Sequence, residues 1–232
     1  MVYFSVFIPH HARAQSDGDD AYDPFADYSE FDESTDEEAD INFFRHGRFF
    51  TIGAAVGYRG FTDKLSSLFS SGPTYGIFMS YFFDLRLAIQ FGFLTGDHAF
   101  NYTFPDAENF TGNVNMTFLN FDLKYYLNTQ NLTRGVADLN PYFFGGIAQV
   151  YRTKTLSGDL GESKDNTLGL NVGGGIEIPI SRKKSYFALQ GTYRYFHFKD
   201  ASYHFYSSTG VMSDIRPTGE SYDFLAILGM NF

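Results

Sequence analysis

The chain has 232 residues, a formal net charge of −10 and no cysteine, which excludes a disulfide framework, a thiolate metal site and a cysteine nucleophile. It contains 28 Phe and 17 Tyr, yet its mean hydropathy is −0.22, as expected for a chain that is apolar at alternate positions rather than in blocks. No run of ~20 residues is predominantly apolar, so no transmembrane helix is predicted. A β-barrel crosses a bilayer without such a run.

The N-terminus carries a weak export signal. An apolar stretch over residues 2–8 precedes Ala12-Arg13-Ala14, a small-x-small sequence at which cleavage would release a chain beginning at Gln15. The basic n-region is missing and the apolar stretch is short, so residues 1–14 are predicted to be a signal-peptide remnant whose natural start lies upstream. The alternative is a chance match in a disordered terminus.

Residues 15–46 are predicted to form an acidic, disordered arm. Positions 17 to 40 hold twelve of the 27 acidic residues and no Lys or Arg, so this block repels itself and should remain solvated. Its charge would also repel the phosphates of nucleic acid. Aromatic residues recur at every third position from Tyr22 to Phe31, which suggests a stripe that orders on a partner, although a plain linker explains them as well.

From residue 47 onward, eight segments of alternating apolar character are separated by turn residues. A bilayer-spanning strand needs ~9–11 residues, whereas strands of soluble sandwiches are about 5–6 residues long. The segments match the longer class, so residues 47–232 are predicted to form an all-β, antiparallel, up-and-down transmembrane barrel. The predicted strands are Arg48–Arg59, Thr74–Phe83, Leu85–Thr95, Val114–Leu127, Tyr142–Thr153, Leu168–Ile180, Tyr186–Phe198 and Tyr222–Phe232.

The connections between these segments alternate in length. The turn at Asp84 and the joins at 128–140 and 181–185 are mostly shorter than the loops at 61–73, 96–113, 154–166 and 199–220. Short periplasmic turns that alternate with longer external loops are usual for outer-membrane barrels. Both termini, and with them the acidic arm, are therefore expected in the periplasm.

The polar face of the predicted strands carries full charges. In a barrel surrounded by lipid these residues must point into the lumen, and an eight-stranded barrel is just wide enough for its own side chains to fill. We therefore expect opposite charges to pair and plug the lumen, with Glu177 and Arg194 as one candidate pair. The alternative is that the charges line an open conduit. The candidate network is Arg86, Asp122, Lys124, Glu177, Arg194 and Asp223, with Arg59 as an additional candidate.

The last segment is the most specific feature of the chain. It alternates strictly and ends on an aromatic residue, which resembles the C-terminal strand that the barrel-assembly machinery reads in bacterial outer-membrane proteins. The Pro141–Gly146 opening of the fifth segment is similar to that of the small OmpA, OmpX and OmpW barrels. The assembly signal is assigned to Phe224, Leu228, Met230 and Phe232.

This resemblance implies a protein of the bacterial outer membrane that contacts lipid and needs no cofactor. A non-enzymatic structural or interaction role is the first hypothesis. Transport of a small apolar molecule, implied by the resemblance to OmpW, is the second, and a lipid-modifying enzyme the third. His204 lies near Ser207, Ser208 and Asp214 in the last loop, but a catalytic triad is defined by geometry, and the histidines lack metal-ligand spacing.

Small residues on the predicted lipid face suggest contact between barrels. Gly174 and Gly191 fall there, on neighbouring strands, and lipid contact does not require small side chains, whereas close protein contact in membranes favours them. The sequence therefore predicts a homo-oligomer patch at these glycines, although one glycine per strand is also an ordinary bend.

Overall fold

The structure, a computed structural model, describes residues 49–127, 139–156, 162–180, 184–202, 204 and 206–232. Each strand pairs antiparallel with the next and the last pairs with the first, so the sheet is a closed eight-stranded barrel. The predicted fold class is confirmed. The signal remnant at 1–14 and the acidic arm at 15–46 lie outside the described residues.

Four of the eight strands are clearly longer than predicted, and the other four are within one residue of the predicted length. The strands are β1 Phe50–Phe61, β2 Gly72–Phe82, β3 Leu87–Thr103, β4 Asn109–Tyr126, β5 Pro141–Leu156, β6 Glu162–Ile180, β7 Ser185–Phe196 and β8 Ser221–Asn231. A short helix, α1 (Asp63–Leu68), follows β1, and a single 3-10 turn (Lys199–Ser202) follows β7. Among the described residues, no helix is long and apolar enough to cross a bilayer.

The two ends of the barrel differ in their connections. We call the end with the β1–β2, β3–β4, β5–β6 and β7–β8 connections the loop end, and the opposite end, which carries Phe232, the turn end. Phe232 closes the seam at the turn end, because its carbonyl accepts from the N–H groups of Phe49 (3.0 Å) and Phe50 (3.2 Å) and its N–H donates to the Phe50 carbonyl (2.8 Å).

Side chains alternate between lumen and outer surface along every strand, as the period of two requires. Following the paired positions once around the barrel from Thr51 leads back to β1 at Phe61, an offset of ten residues, so the strands are strongly staggered. The outer surface carries an apolar band of exposed residues that includes Ile52, Val56, Ile77, Met79, Phe91, Phe93, Leu119, Phe121, Leu123, Ile147, Leu168, Leu170, Val172, Leu189, Phe224 and Leu228.

The β3–β4 hairpin overturns the predicted loop at 96–113, because both strands continue to a short turn between Thr103 and Asn109. Beyond Phe93 and Leu119 the outer face becomes polar, and the side chains of Thr95 and Thr117 hydrogen-bond there (2.9 Å). The apolar alternation of the outer face therefore ends at this level, while strand pairing continues to Thr103 and Asn109.

Candidate functional site

The middle of the lumen is occupied by a buried triad of charges, Arg59, Asp223 and Arg194. Arg59 Nε lies 2.8 Å from Asp223 Oδ1, and Arg194 Nη1 lies 2.5 Å from Asp223 Oδ2. These side chains are at most 1% exposed. Both guanidinium groups also lie over the Phe118 ring, at 4.1 and 4.7 Å from its centroid. The triad joins β1, β4, β7 and β8 across the lumen.

Arg59 is held by further polar atoms. Its Nη1 donates to the Met116 carbonyl at 3.0 Å and its Nη2 donates to Thr74 Oγ1 at 3.1 Å. The sequence offered Arg59, at the end of the predicted first strand, only as an additional candidate for the network. The period of two nevertheless places it inward, and the register puts it directly opposite Asp223.

A second ion pair lies nearer the turn end. Lys124 Nζ is 3.6 Å from Glu177 Oε2, which also accepts a hydrogen bond from the Tyr126 hydroxyl (2.7 Å). Lys124 Nζ lies 3.6 Å from the Tyr142 ring centroid. The expected pairing of Glu177 with Arg194 is wrong, because the stagger of the strands brings each residue to a different partner.

Asp122 and Arg86 are the remaining members of the sequence-based network. Asp122 is 1% exposed; its Oδ1 accepts from Asn171 Nδ2 (2.5 Å), while Oδ2 has no hydrogen-bond partner among the described residues. Arg86 lies in the turn between β2 and β3 rather than in the third strand, where the sequence placed it. The Asp84 carboxylate accepts the backbone N–H groups of Arg86 and Leu87, both at 2.6 Å, so this Asx-type turn is longer than predicted.

A third cluster, at the loop end, was not foreseen from the sequence. Arg152 is 1% exposed, and its Nη2 donates to Asp165 at 3.1 Å and to Asp200 at 2.7 Å. Lys154 also pairs with Asp200. Burial by itself would raise the pKa of Asp200, but attraction by Arg152 and Lys154 outweighs it and leaves that pKa below its usual value. The cluster ties the 3-10 turn to β5 and β6.

Apolar side chains close the loop end above these charges. Leu65 and Leu68 of α1 pack into the same buried cluster as residues of the β3–β4 hairpin and the segment after β7. The aromatic members stack edge to face, as in the pair Tyr102 and Phe104 (4.9 Å between centroids). The buried residues of this cap are Phe61, Leu65, Leu68, Phe69, Phe100, Tyr102, Phe104 and Phe198.

The loop residues weighed as catalytic candidates are not arranged as a triad. Ser207 Oγ donates to Asp106 Oδ2 (3.0 Å), and Asp214 accepts from the Tyr102 hydroxyl. His204 Nε2 instead accepts from Arg216 Nε at 3.0 Å. Ser207 thus helps to fasten the β7–β8 loop to the tip of the β3–β4 hairpin.

The described residues contain no group of three or more His, Asp or Glu side chains that could hold a metal ion.

The two glycines of the predicted patch are directly paired on the outer surface, Gly174 opposite Gly191. A Cβ at Gly174 would come within 3.0 Å of the Phe143 ring, so this ring lies against the glycine, whereas a Cβ at Gly191 would meet only Phe224, at 3.7 Å. Beside Gly191 a shallow groove is lined by Val56, Tyr58, Leu189, Phe224 and Ala226.

The assigned assembly residues all face outward along β8 and its end. Phe224, Leu228, Met230 and Phe232 are between 58% and 66% exposed, so their side chains contribute little to the interior of the barrel. Together they form an apolar outer surface along β8, beside β1.

The chain was compared with known proteins. The family model described as "Outer membrane protein beta-barrel domain" matches residues 45–213. No curated protein sequence matches the chain. Among solved structures, Neisserial surface protein A (NspA) is similar, with 14% identity, a TM-score of 0.52, and coverage of 79% of this chain and 97% of that chain.

Two further structures align over similar lengths. The N-terminal β-barrel domain of Pseudomonas aeruginosa OprF has 15% identity, a TM-score of 0.45, and coverage of 80% of this chain and 98% of that chain. Ail, the attachment invasion locus protein of Yersinia pestis, has 9% identity, a TM-score of 0.46, and coverage of 79% and 99%. From the family match over most of its barrel and the closed eight-stranded sheet, the chain belongs to the outer-membrane β-barrel family and lies in the bacterial outer membrane.

Proposed function

We propose that this protein is a non-enzymatic structural or interaction protein of the outer membrane whose lumen is closed by paired charges. The triad of Arg59, Asp223 and Arg194 carries the proposal, because it bridges the lumen with side chains at most 1% exposed. A hydrated ion cannot pass without separating these charges, and each separation leaves an uncompensated buried charge. The packed cap at the loop end supports the same conclusion.

Single-channel recording of the purified barrel in planar bilayers tests this closure. We expect no steady conductance from the parent, even when parallel heat-shift gels show that the barrel is folded. A stable conductance from the parent would favour the channel hypothesis instead. Incubation of the same sample with labelled phospholipid and lipopolysaccharide tests the enzyme hypothesis, against which the bonding of Ser207 to Asp106 rather than to His204 already argues.

We further propose that the loop end faces outward and that both termini, with the acidic arm, lie in the periplasm. The loop end carries the longest connection, from β7 to β8, and β3 and β4 extend there beyond the apolar band, as expected of the external end of such a barrel. Because the chain has no cysteine, a single introduced cysteine is the sole thiol that can react with the maleimide. Ser208→Cys at the loop end should react with an impermeant maleimide on intact cells, and Lys184→Cys at the turn end should react only after permeabilisation.

We also propose that the barrel self-associates through the groove beside Gly191 and so organises the surrounding lipid. The groove lets a second barrel approach closely and gain dispersion contacts. Gly191→Leu fills the groove without a backbone clash, whereas a side chain at Gly174 would displace Phe143. Gly145, an outward glycine with a Cβ position 3.7 Å from its nearest neighbour, is the matched control.

The mass of the detergent-extracted complex tests whether the barrel self-associates through this groove. We expect a multimer for the parent and for Gly145→Leu, and a smaller species for Gly191→Leu. A monomeric parent, or an unchanged mass for Gly191→Leu, would remove the proposed interface.

A further inference from the structure

Three neighbouring side chains in the lumen each have a buried polar atom without a hydrogen-bond partner among the described residues. These atoms are Arg194 Nη2, Asp122 Oδ2 and Asn171 Oδ1, and the three residues are at most 4% exposed. Arg194 Nη2 is a donor, whereas the two oxygens are acceptors. Because a buried polar atom without a partner is costly, a small polar molecule that bonds to all three would stabilise the barrel.

The fold brings Asn171 and Asp122 into contact across β5. Asn171 Nδ2 on β6 donates to Asp122 Oδ1 on β4 at 2.5 Å. The residue on β5 that pairs with both of them is Gly146, and a Cβ there would lie 2.6 Å from Asp122 Oδ1. Since each side chain uses one of its two terminal atoms in this hydrogen bond, the other two atoms, Asp122 Oδ2 and Asn171 Oδ1, lie only a few Å apart.

The Arg194 side chain extends from β7 toward the same place. It lies directly opposite Asn171 in the register, and its Nε donates to Asn120 Oδ1 at 3.4 Å, one inward position from Asp122 on β4. Nε and Nη2 donate from the same edge of the planar guanidinium group, as the paired contacts of Arg59 Nε and Nη2 with one carboxylate illustrate. Nη2 of Arg194 is therefore directed toward β4 as well.

The charges around these three atoms are balanced without an added ion. The triad of Arg59, Asp223 and Arg194 carries one excess positive charge, and Asp122 carries one negative charge. The second ion pair of the lumen is neutral by itself. A bound cation or anion would leave an uncompensated buried charge, which is costly. Water is neutral and both donates and accepts, so it suits one donor and two acceptors.

We propose that one buried water molecule is bound between Arg194, Asp122 and Asn171. The water accepts from Arg194 Nη2 and donates its two hydrogens to Asp122 Oδ2 and Asn171 Oδ1, and three hydrogen bonds are usual for a buried water. It links the Asp122 carboxylate to the triad, whose excess charge that carboxylate compensates. The site goes beyond the proposed closure of the lumen and does not depend on self-association.

A crystal structure of the detergent-extracted barrel tests this site. In the parent we expect an electron-density peak about 2.5–3.2 Å from each of the three atoms. Asn171→Leu keeps the size of the side chain but removes its acceptor, so the peak should be lost. Gln90→Met is the matched control, because Gln90 is an equally buried amide opposite Asp122 that takes no part in the proposed site, and the peak should remain. Heat-shift gels establish that the variants are folded.

A second data set, from parent crystals soaked in a thallium salt, distinguishes water from a cation. An anomalous signal at the peak would overturn the proposal in favour of a cation. The absence of a peak in the parent, or a direct contact between Arg194 Nη2 and Asp122, would also overturn it. So would a peak that persists in Asn171→Leu or disappears in Gln90→Met. The two parent data sets decide the point by themselves if Asn171→Leu does not fold.

Discussion

The clearest test of the lumenal charges compares two aspartates that differ in their partners. Asp223 and Asp122 are 0% and 1% exposed, and Asn has nearly the same shape as Asp, so Asp223→Asn and Asp122→Asn change charge with little change in packing. Asp223 accepts from Arg59 Nε (2.8 Å), Arg59 Nη2 (3.3 Å) and Arg194 Nη1 (2.5 Å). Among the residues that the structure describes, the Asp122 carboxylate accepts a side-chain hydrogen bond only from Asn171.

The expected changes in the free energy of unfolding differ several-fold between the two variants. Asp223→Asn leaves two buried guanidinium groups without a counter-charge, and breaking a buried ion pair costs about 3–5 kcal/mol. Asp122→Asn keeps an acceptor for Asn171 and removes a buried charge that makes one hydrogen bond, so the free energy of unfolding should change by about 1 kcal/mol or less.

The assay is urea or guanidinium unfolding of barrels refolded into lipid vesicles, in which a shifted midpoint with an unchanged slope reports a change in stability. We expect the midpoint to fall clearly for Asp223→Asn and to stay near the parent value for Asp122→Asn. Equal losses for the two variants would show that burial of a carboxylate, rather than its pairing with arginine, sets the cost, and would refute the reasoning.

The remaining predictions concern other contacts of the barrel. In double-mutant cycles, Lys124→Met and Glu177→Gln should couple by about 0.5–3 kcal/mol, as contacting residues do, whereas Glu177→Gln and Arg194→Gln should be additive. Because the folded pKa of Asp200 is lowered, its anchor for the 3-10 turn is fully present above the ordinary value of 3.8 and is lost as the pH falls through the lower folded value. The hydrogen-exchange protection factors of residues 199–202, which are corrected for the intrinsic rate at each pH, should therefore fall at acidic pH in the parent, and Asp200→Asn should show low protection at every pH. Deletion of Phe232 removes the hydrogen bonds that close the seam and should block membrane insertion in cells, while Phe83→Ala, another exposed aromatic at the turn end, should insert normally.

The sequence by itself determined the class of fold and the inward or outward direction of most strand residues. The last strand was predicted at 222–232 and spans Ser221–Asn231, because alternation against lipid is a local signal that needs no knowledge of the neighbouring strand. The same period placed Asp122, Lys124, Glu177, Arg194 and Asp223 on the inner face, where the structure has them.

Tertiary structure decided which charges meet. Arg194 pairs with Asp223 and Glu177 with Lys124 because the register and the ten-residue stagger set the position of each side chain along the barrel axis. Neither the register nor the stagger can be determined from the sequence of one strand alone. Arg152 joins Asp165 and Asp200 from three separate elements, so no local pattern indicated that cluster.

Turns and water-exposed hairpins were the other features that could not be predicted correctly from the sequence alone. The turn before β3 was predicted too short because its length depends on one carboxylate, that of Asp84, accepting two backbone N–H groups. The β3–β4 hairpin was missed because lipid-facing alternation stops where the bilayer stops, while backbone pairing between the strands continues to Thr103 and Asn109. Sequence periodicity thus records the solvent on each face of a strand, and only the folded barrel determines how far each strand extends and which side chains it brings together.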